Sequence, residues 1–156
     1  SSSSDLNNSW NYDGKGWIYR KENGRLAGGL GYYVDANGIR HEIPEWVKIN
    51  GKWWAFGADK RLMTGWMQDP LSGKWYVIDT ITGMRTGQFT DADSNTYYLD
   101  PVSGAMLTGW QLISGKWYYF SDKGTNQPYG SMYKNKVTPD GFRVGADGAW
   151  DGQGKN

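Results

Sequence analysis

Cysteine is absent from the 156 residues, and histidine occurs once, at His41. The first absence removes disulfides, thiolate metal sites and thiol catalysis together. The second leaves a His-dependent hydrolase without a recognisable Ser/His/Asp motif around His41, which sits beside Glu42 in a Gly- and Pro-flanked loop. No apolar run approaches the roughly 18 residues a spanning helix needs, so no membrane insertion is expected. Charge of one sign is also missing: 17 basic side chains balance 16 acidic ones. No basic stripe can track phosphates, so nucleic acid is not an expected partner. Branched aliphatics are scarce as well, with 21 Leu, Ile and Val against 25 Trp, Tyr and Phe. A near-neutral chain with so many rings, each able to bury about 150–250 Å², has a core to form and is not disordered.

Glycine, by contrast, is abundant. The 23 Gly and 5 Pro place a turn about every half-dozen residues and leave room for short strands rather than helices. The amino end, Ser1–Ser4 before Asp5, has neither a positive n-region nor an apolar h-region and reads as a linker remnant of a mature protein or excised fragment.

A repeat dominates the chain. Gly65-Trp66 serves as an anchor, and the same slot recurs at Gln88, Trp110 and Met132 in steps of 22. Backwards it falls on Trp46, then Leu30 and Trp10. A second signature follows most anchors: Gly51-Lys52-Trp53-Trp54, Gly73-Lys74-Trp75-Tyr76 and Gly115-Lys116-Trp117-Tyr118-Tyr119-Phe120. A period near 20 suits one hairpin and a connector. Asn50-Gly51 and Ser114-Gly115 are type I′ turn dipeptides, which would set Lys48 opposite Trp53 and Trp46 opposite Ala55. Between Trp66 and Trp75 a four-residue loop, Pro70 to Gly73, keeps both rings on one side. Each complete hairpin thus carries two Trp rings on one face, and stacking would bury the rings of the other face, because one hairpin cannot hold itself together in water. Met63, Met84 and Met106 recur just before the anchors, placed to fill gaps or contact rings through sulfur.

These residues resemble the choline-binding or cell-wall-binding repeat of Gram-positive bacteria and their phages, in particular Gly104-Ala105-Met106-Leu107-Thr108-Gly109-Trp110 through Trp117-Tyr118-Tyr119-Phe120. The resemblance covers residues 9–133, after a linker at 1–8, and residues 134–156 look like a degenerate capping repeat. It implies an all-β solenoid, a left-handed superhelix of stacked short β-hairpin repeats of about 20–22 residues. It further implies a non-catalytic, secreted module on the cell wall or surface of a Gram-positive bacterium, with no cofactor, holding choline of teichoic acid or another wall polysaccharide. A homodimer through the terminal hairpins is a mode the family uses and stays open. In such repeats choline sits between consecutive hairpins among two Trp rings and a third aromatic from the next unit, often with a Met nearby.

Carried over unit by unit, Trp66, Trp75 and Tyr98 form one full cage, with Met84 or Met106 as sulfur neighbour. Trp10, Trp17 and Tyr33 form a second, followed by a short unit. Trp46 and Trp53 would meet Val77, and Trp110 and Trp117 would meet Arg143, so both sets are partial. The unit of Gln88 has Thr96 where its strand Trp should be and serves as a spacer. The bland reading of every Trp is a core residue in a repeat poor in aliphatics.

Asp91-x-Asp93-x-Asn95 imitates a calcium loop, but Thr96 and Val102 replace its required Gly and Glu, so no metal site is expected. A two-carboxylate glycosidase has 13 Asp and 3 Glu to draw on, yet most Asp lie in turn contexts. Two rivals to choline binding remain: a carbohydrate (glucan)-binding repeat stacking sugars on the same rings, and a structural stalk with decayed sites.

Overall fold

The computed structural model describes residues 6–154; of the expected linker, residues 1–5 lie outside the described residues. Among the described residues there is no α-helix, and sixteen short strands pair into seven small antiparallel sheets. Five are two-stranded: β1 (Ser9–Tyr12) with β2 (Trp17–Arg20), β3 (Tyr32–Val34) with β4 (Arg40–Glu42), β5 (Glu45–Ile49) with β6 (Lys52–Phe56), β10 (Gly87–Thr90) with β11 (Thr96–Leu99), and β12 (Gly109–Ile113) with β13 (Lys116–Phe120). The other two have three strands: β7 (Gly65–Gln68), β8 (Trp75–Asp79) and β9 (Gly83–Met84), then β14 (Lys136–Val137), β15 (Phe142–Val144) and β16 (Trp150–Gly154). The fold is the expected all-β series of short hairpin repeats.

Turn chemistry sets the registers. Asn50 and Gly51 have φ of 51° and 80°, and Ser114 and Gly115 have 51° and 82°, the doubly positive pattern of a type I′ turn. Lys48 therefore pairs with Trp53 and Trp46 with Ala55, as the dipeptide requires. The same turn pairs Leu112 with Trp117 and Trp110 with Tyr119. Where the connection is wider, an Asp opens it and accepts the N–H two residues on. Asp13 takes Lys15, Asp69 takes Leu71, Asp79 takes Ile81, Asp91 takes Asp93 and Asp100 takes Val102. The Asp91 segment that imitates a calcium loop is one of these turns, and its other carboxylate oxygen accepts from the Tyr97 hydroxyl at 3.3 Å. Burial beside that carboxylate pushes the Tyr97 phenol up to about 12.

After most hairpins the chain returns as a one- or two-residue third strand. Leu26 bridges Arg20, Leu62 bridges Phe56, Met84 pairs with Ile78, Met106 bridges Leu99 and Met132 bridges Phe120. Met132 therefore occupies the connector slot of its unit and not the anchor slot to which a constant step of 22 assigned it. The stretch from Ser121 to Ser131 is longer than the other connectors; Gln127 Nε2 donates to the Ser131 carbonyl and hydroxyl oxygens, and the Ser121 backbone N–H donates to the same Ser131 carbonyl. Leu30, the other irregular anchor, is outside any strand and exposed.

The chain divides into two compact units at Arg85 and Thr86. In the first, Tyr19, Ile49, Trp54, Phe56, Met67 and Ile78 form a buried cluster. Hairpin β1–β2 packs on β5–β6 and not on β3–β4: Trp10 lies 4.9 Å from Trp54, and Tyr19 stacks on Phe56 at 6.4 Å. Trp46 then meets Tyr76 of β7–β8 edge-on at 4.9 Å. The short β3–β4 hairpin is a detour from this stack, and Glu45 closes its base by accepting from Gly28 N–H at 2.7 Å and pairing with Lys21 at 2.9 Å. In the second unit Tyr98 stacks on the fully buried Phe120 at 6.0 Å. Trp110 packs edge-on against both Tyr119, at 5.2 Å, and Phe142, at 5.7 Å.

Candidate functional site

In three of the hairpins the strand Trp is the ring left outside the core. Trp17, Trp53 and Trp117 are 40–44% exposed, whereas Trp54 next to Trp53 is buried. Alternation along the strand separates the two roles, as the paired-Trp spacing requires.

In the second unit Trp110, Trp117, Phe142 and Trp150 surround a pocket of about 330 Å³ with Asp140 on its wall. The rings meet at near right angles, Trp110 to Phe142 at 89° and Phe142 to Trp150 at 88°. Trp110 Nε1 donates to Asp140 Oδ2 at 2.9 Å, and Thr138 Oγ1 donates to Asp140 Oδ1 at 2.6 Å. Trp150 Nε1 is likewise engaged, with the Gln153 carbonyl at 2.9 Å. With these two N–H groups committed, the wall offers chiefly ring faces and one carboxylate. That chemistry suits an organic cation without hydrogen-bond donors.

Arg143 was expected in this position, and the structure corrects that. Phe142 and Val144 face inward on β15, and Arg143 between them is exposed, its Nε 4.0 Å from Asp151 Oδ2. Asp140, Phe142 and Trp150 are the residues that sequence reasoning missed. The available signal was Trp150, left without a role in the degenerate capping repeat.

A related arrangement lies in the first unit. Trp46 and Trp53 share one face of β5–β6, Trp46 touches Tyr76, and Trp46 Nε1 donates to Asp69 Oδ2 at 3.3 Å. The expected partner Val77 is instead buried on the Trp66 side of its own hairpin, since it pairs directly with Trp66. Desolvation against Trp46 and the neighbouring Asp69 charge raise the Tyr76 phenol, although Ser72 hydrogen-bonds to it in the opposing sense.

Trp66 and Trp75 line a separate pocket of about 600 Å³, joined by Tyr33 and Met63. Tyr33 is thus not beside Trp10 and Trp17. Those two rings stand 6.5 Å apart at 84°, and Trp54 fills the place next to Trp10, because β1–β2 stacks directly on β5–β6. Tyr98 and Met106 lie in the second unit. Tyr98 stacks on Phe120, and the Met106 sulfur occupies the space that a side chain at Gly130 would fill. Met84 pairs with Ile78 in the first unit. Thr96, in the unit expected to be a spacer, is buried and receives the Lys134 ammonium at 3.0 Å.

Residues 108–125 match the family model of a choline-binding, cell wall binding repeat. The multimodular pneumococcal cell wall endolysin of phage Cp-1, solved with choline, is 27% identical over 96% of this chain and 38% of its own, at a TM-score of 0.57. The choline binding domain of Spr1274 from Streptococcus pneumoniae is 34% identical over 56% of this chain and 94% of that one, at a TM-score of 0.47.

The chain belongs to the choline-binding family of cell wall binding repeat proteins.

Choline binding protein F of Streptococcus pneumoniae is a further relative of this repeat protein, 29% identical over 91% of the chain at a TM-score of 0.43. The choline-binding repeats described here span 57% of the length of that protein and 38% of the endolysin's. A search of curated protein sequences gives no match.

Proposed function

We propose that the chain is a non-catalytic cell-wall attachment module that holds choline groups of teichoic acid in aromatic cages. The observation that carries this reading is the pocket of Trp110, Trp117, Phe142 and Trp150 with Asp140 on its wall. A trimethylammonium group has no N–H to donate. It is held by ring faces at about 0.5–2 kcal/mol per contact, and a nearby carboxylate adds Coulomb attraction. The endolysin solved with choline and the streptococcal choline binding domain support the same ligand and a place on the surface of a Gram-positive cell. Trp46, Trp53 and Tyr76 with Asp69 offer a second cage of similar composition in the first unit. Trp66 and Trp75 provide a further ring pair.

The non-catalytic reading rests on the carboxylates. Asp13, Asp69, Asp79, Asp91 and Asp100 each hold a turn through backbone N–H groups, so they are committed to structure. Choline titrated into the full chain, followed by Trp fluorescence and thermal unfolding, tests the function. A ligand bound only by the folded state adds about 2.7 kcal/mol at a hundredfold excess over its Kd. Trp117→Ala should abolish the fluorescence change of its site while leaving the fold intact. A chain that neither changes fluorescence nor gains stability in choline overturns the proposal. Sedimentation with and without choline reads whether the terminal hairpins pair.

A further inference from the structure

Charge is nearly balanced over the whole chain, but the fold gathers a local excess of cations in the first unit. Arg20, Lys21, Arg25 and Lys60 line a cavity of about 500 Å³ together with Glu45. Two turns hold these cations. After β2, Lys21 N–H donates to the Arg25 carbonyl at 2.8 Å and Gly24 N–H to the Lys21 carbonyl at 3.0 Å. After β6, Gly57 N–H donates to the Arg61 carbonyl at 2.9 Å and Lys60 N–H to the Gly57 carbonyl at 3.0 Å. The turns are therefore copies of one another, with Arg25 matched to Arg61, Asn23 to Asp59 and Gly24 to Lys60. The Gly57 carbonyl also accepts from Gly29 at 2.9 Å, which draws the second turn over the segment that follows the first. The Lys60 stem crosses Gly29, where an added Cβ would stand 2.8 Å from Lys60 Cε.

The matched turns differ in how their cations are paired. Arg61 is neutralised by Asp13 at 2.9 Å and Asp59 at 3.4 Å. Asn23 takes the place of Asp59 in the first turn: its Oδ1 accepts the Arg25 backbone N–H at 2.9 Å, as Asp59 accepts that of Arg61 at 3.0 Å, but it carries no charge. Arg20 gives one guanidinium N–H to the Gly24 carbonyl at 2.7 Å, which orients the fork and leaves it further donors. Among the described residues, none of Arg20, Arg25 and Lys60 is ion-paired with a carboxylate. Glu45 does not serve them, because its Oε2 pairs with Lys21 at 2.9 Å and its Oε1 accepts the Gly28 N–H at 2.7 Å. Lys60 also has φ of 67° where the matching Gly24 has 85°, so a long cation stands at a backbone position suited to glycine.

We infer that this cavity binds a phosphate ester, its oxyanion held by Arg20, Arg25 and Lys60 and its carbon substituents against Leu26 and Leu30 on the same wall. Guanidinium forks match phosphate oxygens in pairs, and the ammonium adds a point charge. The cavity has room for the ester carbons as well as the anion, which a site for a bare ion would not need. Such an ester arrives either as a free monoester or as the diester that links the units of an anionic polymer. The assignment is independent of the choline reading, since it uses no aromatic ring and is measured by signals of its own.

The test uses the full chain labelled with ¹⁵N, following arginine Nε–H resonances at constant ionic strength while glycerol phosphate, a monoester, and separately glycerophosphoglycerol, a diester, are added. The expected result is saturable movement of the Arg20 and Arg25 signals. Tighter binding of the diester identifies the polymer as the source, and tighter binding of the monoester identifies a free ester. Arg25→Gln, read at Arg20, and Lys60→Gln, read at both arginines, should each weaken binding about fivefold or more. Lys15→Gln removes one charge from an exposed turn of the same unit and should leave binding unchanged. Thermal unfolding of the three variants verifies that they fold. The inference is overturned if neither ester moves the signals saturably, or if both cavity variants bind like Lys15→Gln. It is also overturned if sodium glutamate moves the signals as strongly as the esters, which would make the cavity a carboxylate site.

Discussion

The Trp110 indole donates its N–H to the Asp140 carboxylate at 2.9 Å, and the Trp46 indole donates to Asp69 at 3.3 Å, so an anchor Trp in each unit is tied to an Asp further along the chain. The bond fixes the ring plane and also brings a negative charge to the rim of the ring cluster. One contact thereby links the fold to ligand affinity.

Replacing Asp140 separates those two effects. Asp140→Asn keeps an acceptor for Trp110 but removes the charge, and choline affinity should fall about three- to tenfold, equivalent to roughly 1 kcal/mol. Asp140→Ala loses the ring alignment as well and should fall further. Calorimetric titration distinguishes them: Asp140→Asn binding choline like the parent would mean that the charge contributes nothing, and equal affinities of the two variants would mean that the ring alignment contributes nothing.

Stability and binding should respond to different rings. Phe56 and Phe120 are fully buried, and truncation of either to Ala should cost about 3–5 kcal/mol. Trp117 is 44% exposed and contributes its face to the pocket, so Trp117→Ala should move the urea midpoint little while removing choline binding. A Trp117 variant that unfolds as readily as the Phe variants would assign that ring to the core.

Acid should loosen the turns. Backbone N–H groups of Lys15 and Gly16 hold the Asp13 carboxyl below the usual range, and those of Ile81 and Thr82 do the same for Asp79. The His41 side chain, followed by the Ile39 N–H, lowers Asp35. Each group takes up a proton less readily when folded. Its contribution is therefore complete above the unfolded value of about 4 and is lost as pH falls through the lower folded values. The melting temperature should decline below about pH 4, with Asp79→Asn showing a shallower acid limb than the parent.

The parts of this fold set by local chemistry were legible from the sequence alone. Asn50-Gly51 was sufficient to place Lys48 opposite Trp53, and the two-face division of Trp53 from Trp54 followed from alternation. What failed was the step from one hairpin to the next. Tyr76, not Val77, reaches Trp46, and Phe142, not Arg143, reaches Trp110. A shift of one residue along a strand exchanges its faces, and no turn dipeptide reports the register of packing between hairpins. Tyr33 was misplaced for a related reason: nothing in its short hairpin signals that β1–β2 bypasses it to pack on β5–β6.

That bypass depends on a close approach of two backbones, which gives a last prediction. Gly28 has φ of 95°, and a Cβ there would lie 2.5 Å from the Gly57 carbonyl oxygen. Beside it Gly29 N–H donates to that same carbonyl at 2.9 Å, joining the segment after β2 to the turn after β6. Gly28→Ala would meet both a left-handed conformation, costing about 1–2 kcal/mol, and a backbone that cannot move without breaking the bond. Gly124→Ala is the control: its φ is 75°, but nothing lies within 4 Å of the added carbon. Gly28→Ala should lower the urea midpoint by clearly more than Gly124→Ala, and the difference measures the close approach. Equal losses in the two variants would show that the first two stacked hairpins separate at no cost.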